Sequence, residues 1–262
     1  DGQPEYILRV PGPSFLPMLS AIFTGGIFIC STFKLWWWMA ASGVVALGFI
    51  LAWLWTGTAV IPEKERKFIG HGLTMPLYCA GRDSVGWWAM LITMLADITA
   101  FAALVFGYFF YWTLRPEFPP ASITGPGVLW PGIGLALMAG AWGLTLQARR
   151  WNKAERSSAF YGGLAAATLL AVAACWALTQ GPIVHRMDPA GHVFSATVWI
   201  LIIWTALHAI VGVIMQLYCV ARRAAGRMTG RYDIDIQNVS LYWHFVAIMT
   251  ACLLYTSPSP RD

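Results

Sequence analysis

Seven stretches of this sequence are long and apolar enough, within a few residues at each end, to form membrane-spanning helices. A spanning helix needs about 20 mostly apolar residues, because it must cross the hydrocarbon core of the bilayer. The composition agrees: 58% of the residues are hydrophobic and 11% are charged, whereas about a quarter are charged in an ordinary soluble domain. We therefore predict an all-α integral membrane protein with seven transmembrane helices. The predicted spans are 15–33, 35–61, 86–112, 127–148, 158–180, 192–220 and 239–255.

The basic residues between these spans predict the orientation of the chain. One lies in the N-terminal tail, and four lie in each of the loops 62–85, 149–157 and 221–238, which makes thirteen on one side. The other side has only four: Lys34, Arg115, Arg186 and Arg261. Basic residues accumulate on the cytoplasmic side of membrane proteins. This alternation predicts the N-terminus inside and the C-terminus outside, and it explains the net charge of +5 without nucleic acid as a partner.

The loop at 62–85 is the longest between two spans, and it divides the chain into two predicted parts. A two-helix unit at 11–61 precedes it, and a five-helix bundle at 86–255 follows it. Residues 1–10 read as a leader or connector, and the first residue is Asp, so we expect the chain to begin inside a longer reading frame. Residues 256–262 follow an apolar helix abruptly and read as a truncation artefact.

The histidines and cysteines do not predict a metal or haem site. No two histidines are spaced i, i+4 on one predicted helix, and no cysteines form a CxxC pair. Haem and copper need paired, convergent His or Cys ligands. Motifs of nucleotide-driven pumps and of hydrolases are missing too. We therefore predict no catalytic residue, no metal and no cofactor in this chain, and we interpret His208 and His244 as interhelical hydrogen-bonding residues.

Asp97 is the one acid inside a long apolar stretch. It lies about ten residues after Trp87, so roughly 15 Å along a helix. A carboxylate at that depth is costly unless it has a partner, and it marks a functional site by default. Two interpretations stay open. Asp97 could pair with His208, His244 or a hydroxyl such as that of Thr93 or Ser195, or it could serve proton movement or bind a lipid headgroup; burial without a cation would favour its protonated form.

Three short motifs resemble one family of membrane proteins. Tyr242-Trp243-His244-Phe245-Val246 is similar to the Y-W-H-F-V signature of subunit III of haem-copper cytochrome c oxidases. The segment 205–212 resembles the sixth-helix pattern of that family, with His208 and Gly212 at the positions of its His and Gly. Leu95-Ala96-Asp97 lies where the family carries an acid in its third helix, although the family usually has Glu there.

Further resemblances extend over residues 11 to 255. Pro119-Pro120 matches a Pro-Pro in the loop after the third helix, and residues 11–14 resemble the Pro-rich entry to the first span. The leader at 6–10 resembles the connector of bacterial chains in which subunits I and III are fused. The sequence departs from the family after the seventh-helix motif, where Ala247 and Thr250 replace the usual acid and Trp.

The resemblance implies a bacterial inner-membrane protein that carries no redox centre of its own. Such a subunit packs against oxidase subunits I and II, which hold the haem and copper, and binds phospholipid in the cleft between its two-helix and five-helix units. It supports proton uptake during electron transfer from cytochrome c to oxygen, and Asp97 would be the intramembrane acid for this role. The alternatives are the corresponding subunit of a quinol oxidase or nitric oxide reductase, and a proton-coupled transporter that uses Asp97.

Overall fold

The computed structural model describes residues 5–7, 12–57, 61 and 64–256. These residues form seven α-helices and one β-hairpin. The chain divides into two compact units, Asp1–Cys79 and Ala80–Asp262, so the boundary falls inside the long loop at 62–85. The predicted leader lies partly outside the described residues, since 1–4 and 8–10 are not among them, and so does the predicted tail from 257 onwards.

The first unit contains a pair of packed helices, α1 (Leu16–Thr32) and α2 (Trp36–Gly57). The turn between them is short because Lys34 adopts a left-handed conformation with φ of 58°. The helices approach closely at Gly26, where an added Cβ would lie 2.9 Å from the Ser42 hydroxyl oxygen. Phe23 and Phe49 stack across the same interface with their ring centroids 5.5 Å apart.

A β-hairpin follows in the segment that the sequence predicted as a plain loop. Strand β1 (Arg66–Gly70) pairs with the antiparallel strand β2 (Leu73–Pro76). The two residues between them, His71 and Gly72, have φ of 49° and 72°. Two-residue hairpin loops favour positive φ at both positions, because that backbone twist matches the twist of the strands. The main-chain N–H of Ile7 donates a hydrogen bond to the main-chain oxygen of Pro76 at 2.9 Å, so this residue of the leader lies beside β2.

The second unit consists of five helices, and α7 packs against three of the others. The five helices are α3 (Val85–Leu114), α4 (Leu129–Lys153), α5 (Ser157–Val184), α6 (Val193–Ala224) and α7 (Ile234–Thr256). Helix α7 packs against α3, α4 and α6. Over its most apolar stretch 56% of the residues are buried, compared with 11% for α3, so α7 is central and α3 is peripheral.

The close packing of α4 against α5 depends on glycine at points of contact. A Cβ at Gly134 would lie 2.7 Å from Leu178, and one at Gly163 would lie 2.2 Å from a ring carbon of Trp151. Neither distance is possible for a real side chain without a shift of the neighbour. Small residues allow helices in lipid to approach closely, where van der Waals packing stabilises their association.

Six of the seven helices in the described part of the chain, α2 to α7, are long and apolar enough to cross a membrane. Helix α1 is apolar but has only 17 residues, about 26 Å, so the prediction of seven full spans holds for six of them. Large apolar side chains also cover the outside of the second unit, as in Leu169 with 71% exposure and Phe106 with 67%. Such a surface suits contact with lipid.

Helices α4 to α7 extend beyond their predicted spans, with α4 ending at Lys153 and α5 at Val184 instead of at the predicted 148 and 180. Helix α7 starts at Ile234, before the predicted 239, because its first turns carry polar residues that a hydropathy pattern excludes. It also continues to Thr256, one residue past the end of the predicted span at 255. Helix α6 runs to Ala224 and includes Arg222 and Arg223, which are buried in the structure. Paired polar residues extend α6 and α7 beyond their apolar sequences.

Candidate functional site

Asp97 lies on α3 and faces α6. The carboxylate oxygen Oδ2 is 3.6 Å from Nε2 of His208, which is within ion-pair distance but beyond ordinary hydrogen-bond distance. The Asp97 side chain is 32% exposed and the His208 side chain 14% exposed. The acid therefore sits at the surface of the five-helix unit, with the imidazole as its inner neighbour.

The second ring nitrogen of His208 restricts where protons can be in this pair. Nδ1 lies 2.8 Å from the main-chain oxygen of Trp204, which can only accept a hydrogen bond, so Nδ1 carries a proton. Nε2 then faces Asp97 as an acceptor if the ring is neutral. Asp97 and His208 therefore form a pair of ionisable side chains, one on α3 and one on α6, within two apolar helices.

Aromatic residues surround His208 on its inner side. Phe245 of α7 meets the imidazole edge-on with centroids 5.5 Å apart, and the Trp204 ring lies 4.9 Å away. The hydroxyl of Tyr242 donates a hydrogen bond to the main-chain oxygen of His208 at 3.2 Å. Tyr242 and Phe245 are three residues apart, so they share a face of α7. We call Asp97, His208, Tyr242 and Phe245 the Asp97 site.

Gly212 and Trp243 meet one helical turn further along α6. A Cβ on Gly212 would lie 3.1 Å from two ring carbons of Trp243, which is fully buried. Glycine therefore makes room for the indole at this helix crossing. These two motif residues therefore have a packing relationship with each other.

His244 lies on another face of α7 from the Asp97 site. Its Nδ1 is 2.6 Å from the main-chain oxygen of Ser240, and its ring meets Trp142 of α4 with centroids 5.5 Å apart.

The other suggested partners of Asp97 are also occupied elsewhere or unpaired. Thr93 donates to the Ala89 carbonyl oxygen, and the hydroxyl of buried Ser195 has no hydrogen-bond partner among the described residues. Of the four candidates, the structure brings His208 to Asp97.

A buried polar junction between α4, α5 and α6 was missed by the sequence reasoning. The Gln216 amide donates to the Thr145 hydroxyl at 2.7 Å and accepts from the Thr168 hydroxyl at 3.0 Å. Gln216 and Thr145 are fully buried. Gln216 lies eight residues after His208, about 12 Å along α6, so this junction is separate from the Asp97 site. Its only sequence signal was a glutamine in an apolar span.

A second missed feature is a cluster of ion pairs where α4 ends and α5, α6 and α7 meet. Arg223 contacts Glu155 at 2.8 Å and Ser157 at 3.1 Å, and its guanidinium also donates to Asn152. Arg222 pairs with Asp235 at 2.8 Å. In the sequence these arginines served only to predict the orientation of the chain. The acids before and after them in the sequence were the available signal for these ion pairs.

Glu155 in this cluster is held in its charged form. The main-chain N–H of Gly230 donates to its carboxylate, and the Arg223 guanidinium donates as well. These hydrogen bonds, with the positive charge of Arg223, lower the pKa of the Glu155 carboxyl below its usual value. The Glu155 side chain remains 59% exposed, so this interaction is partly screened by water.

Among the described residues, no group of three or more His, Cys, Asp or Glu side chains is arranged to hold a metal ion. Comparison of the chain with models of known protein families finds no match, and comparison with characterised proteins finds none either.

Proposed function

We propose that this chain is the subunit III component of a haem-copper terminal oxidase, acting without a redox centre of its own. In this role it stabilises the catalytic subunit, binds phospholipid and supports proton uptake while electrons pass from cytochrome c to oxygen. Haem and copper belong to partner subunits I and II. The membrane is the bacterial plasma membrane, with the N-terminus of this chain on the cytoplasmic side.

The observation that carries the proposal is the meeting of three separate motifs at the Asp97 site. Asp97 comes from the third-helix motif, His208 from the sixth-helix motif, and Tyr242 and Phe245 from the seventh-helix motif. These motifs are more than 100 residues apart at their extremes, between Asp97 and Phe245. Each resembles the same family by its sequence, and Asp97 and Phe245, from two of the motifs, contact the imidazole of His208 from the other. This convergence supports the proposal.

The chemistry of the site fits an accessory role in proton uptake or lipid binding. Asp97 and His208 are two ionisable side chains 3.6 Å apart, and in the proposed role they accept and release a proton. Because Asp97 is partly exposed on a lipid-facing helix, a proton donor outside the unit can reach the carboxylate. An intramembrane ionisable residue of this kind is a functional site by default.

Purification of the chain from a membrane tests the proposal. A tagged full-length chain is extracted in mild detergent, and the visible spectrum, the haem content and the oxygen uptake of the preparation are measured. We expect haem-containing partners to co-purify and to reduce oxygen with cytochrome c as the electron donor. A matched preparation of Gly212→Ala, which disturbs the packing of α6 and α7, tests whether co-purification depends on the folded bundle.

Other outcomes identify the alternatives. Oxygen reduction with quinol but not with cytochrome c would assign the chain to a quinol oxidase. Purification without any haem partner, combined with solute transport in liposomes, would show that the proposal is wrong. In that case Asp97 would belong to a proton-coupled transporter.

A further inference from the structure

A groove between α4 and α7 carries a concentration of positive charge that the Asp97 site does not use. The groove has a cavity volume of about 330 Å³. It is lined from α4 by Leu146, Arg149, Arg150 and Lys153, and from α7 by Leu241 and His244. Spacings of three, four and seven residues place each set on one face of its helix. We call this the basic groove.

The basic groove has more positive than negative charge. Arg149 and Lys153 both contact the same carboxylate oxygen of Asp233, at 3.4 Å and 3.7 Å. The guanidinium of Arg150 donates to a neutral group, the amide oxygen of Gln147, at 3.3 Å. Three cations therefore share one acid, and the neighbouring acids Asp235 and Glu155 are paired with other arginines. The groove therefore has a net charge of about +2, which attracts an anion by the Coulombic interaction expected of a partly exposed site.

The groove is cationic at one end and more apolar towards the other. The three cations are in the last turns of α4, near the end of the predicted span, whereas Leu146 and His244 lie further into the apolar part of α4 and α7. Trp87, in the first turn of α3, lines the same cavity. Tryptophan is enriched at the interface of membrane and water. The cationic end thus lies where phosphate groups of lipids are found, and the deeper end lies where acyl chains begin.

We propose that the basic groove binds the phosphate group of an anionic phospholipid. Arg150 and Lys153 contact the phosphate, Arg149 supports them from its position beside Asp233, and the acyl chain runs along Leu146 and Leu241. Basic pockets between transmembrane helices on the cytoplasmic side bind lipid headgroups of this class. The groove also gives His244 a location distinct from the Asp97 site. This inference depends on the second unit alone, and it stands whether or not the chain belongs to an oxidase.

Lipid retention measures this binding directly. The full chain is purified with whatever partners it keeps, exchanged into nanodiscs containing equal amounts of phosphatidylglycerol and phosphatidylcholine, then washed in detergent and studied by native mass spectrometry. We expect bound phosphatidylglycerol in the unmodified protein. In Arg150→Gln/Lys153→Gln we expect its affinity to fall about thirtyfold, since each basic residue near a membrane surface contributes about 1 kcal/mol.

Two control variants separate this site from general charge effects. Arg156→Gln/Lys67→Gln removes two exposed basic residues from the same predicted side, and it should retain the lipid. Arg150→Lys keeps the charge and should retain most of the binding. Circular dichroism and gel filtration check that each variant is folded.

Three results would overturn the inference. Equal retention of phosphatidylglycerol by both double variants would show that the groove holds no specific lipid. Equal binding of phosphatidylcholine would show that the cations do not select the headgroup. Inorganic phosphate at millimolar concentration binding to a lipid-free preparation, without any preference for lipid in competition, would assign the groove to free phosphate instead.

Discussion

Tyr242 on α7 donates its hydroxyl proton to the main-chain oxygen of His208 on α6, across 3.2 Å. In an α-helix that oxygen also faces the N–H of the residue four positions later, which is Gly212. The next residue of α7, Trp243, packs its ring over Gly212. Two consecutive residues of α7 therefore contact the two ends of one turn of α6, and this arrangement fixes the rotation of α7 relative to α6.

Replacing Tyr242 with Phe should weaken the contact between α6 and α7. The variant keeps the ring, which is buried, and loses the interhelical hydrogen bond. Hydrogen bonds of this kind contribute about 1 kcal/mol, and about 0.6 kcal/mol on average between membrane helices. Unfolding in mixtures of mild detergent and sodium dodecyl sulfate measures the loss. Tyr255→Phe is the matched control, because Tyr255 is 85% exposed, and equal effects of the two changes would contradict the role of Tyr242.

Replacing Gly212 with Ala should destabilise the second unit by steric crowding. The new methyl group would lie 3.1 Å from the Trp243 ring, so the indole or the helix must move. Overpacking of a well-packed interior costs about 1–3 kcal/mol. The same unfolding assay should show that Gly107→Ala is neutral or stabilising, since no atom lies within 4 Å of a Cβ at that position. A Gly212→Ala protein as stable as Gly107→Ala would show that the helices adjust freely.

The helices could be predicted from the sequence because lipid imposes a simple requirement on length and hydrophobicity. The β-hairpin could not, because its strands are short, largely exposed and contain Arg66 and Lys67. Its one local signal was the His71-Gly72 pair, in which only glycine adopts positive φ readily. The buried part of α6 at Arg222 and Arg223 was missed for a related reason, since their acidic partners come from other segments.

The candidate site was predictable as a set of residues but not as a geometry. Asp97 was evident because one carboxylate in an apolar helix is costly. Which of His208 and His244 it meets depends on how α6 and α7 are rotated, and adjacent residues in one motif point to different sides. Tyr242 and Phe245 face His208, whereas His244 faces Trp142 of α4. Only the packing of whole helices determines this division.

The ion pair of Glu155 and Arg223 should make stability depend on acid. The folded state lowers the pKa of Glu155, so the unfolded state binds the proton more readily. The stabilisation is therefore complete above the ordinary value of 4.5 and is lost as the pH falls through the lower folded value. Melting temperatures of the unmodified protein between pH 7 and pH 3 should fall more steeply below about 4.5 than those of Glu155→Gln, given the usual glutamate pKa.

Glu117→Gln is the control for this measurement, because Glu117 is an exposed acid in the loop between α3 and α4. Its melting curve should follow that of the unmodified protein at every pH. Parallel curves for Glu155→Gln and the unmodified protein would show that the hydrogen bonds from Gly230 and Arg223 do not stabilise the folded state. The effect should also decrease at high salt, since Glu155 is largely exposed and its ion pair is screened.

Replacing Asp97 should affect sustained turnover more than assembly. Asp97→Ala and Asp97→Asn remove the acid at the surface of α3, where it contacts only the edge of the bundle, so the proposed oxidase should still assemble with normal haem content. Without the acid beside His208, proton uptake should slow or the enzyme should lose activity sooner during turnover. Oxygen uptake followed to inactivation, with lipid analysis of the same preparations, measures both effects.

The neighbouring variants separate a proton-uptake role of Asp97 from a packing role. His208→Asn should reproduce the Asp97→Asn phenotype if the two residues act as one pair, and the double variant should be no worse than either change alone. Asp97→Glu keeps the acid and adds one methylene, which can close the 3.6 Å gap to Nε2 of His208, so this variant should sustain turnover at least as well as the unmodified protein. Asp188→Asn, in the loop between α5 and α6, should have no effect on turnover. Normal activity of Asp97→Ala over many turnovers, with normal lipid content, would leave Asp97 with a packing role alone.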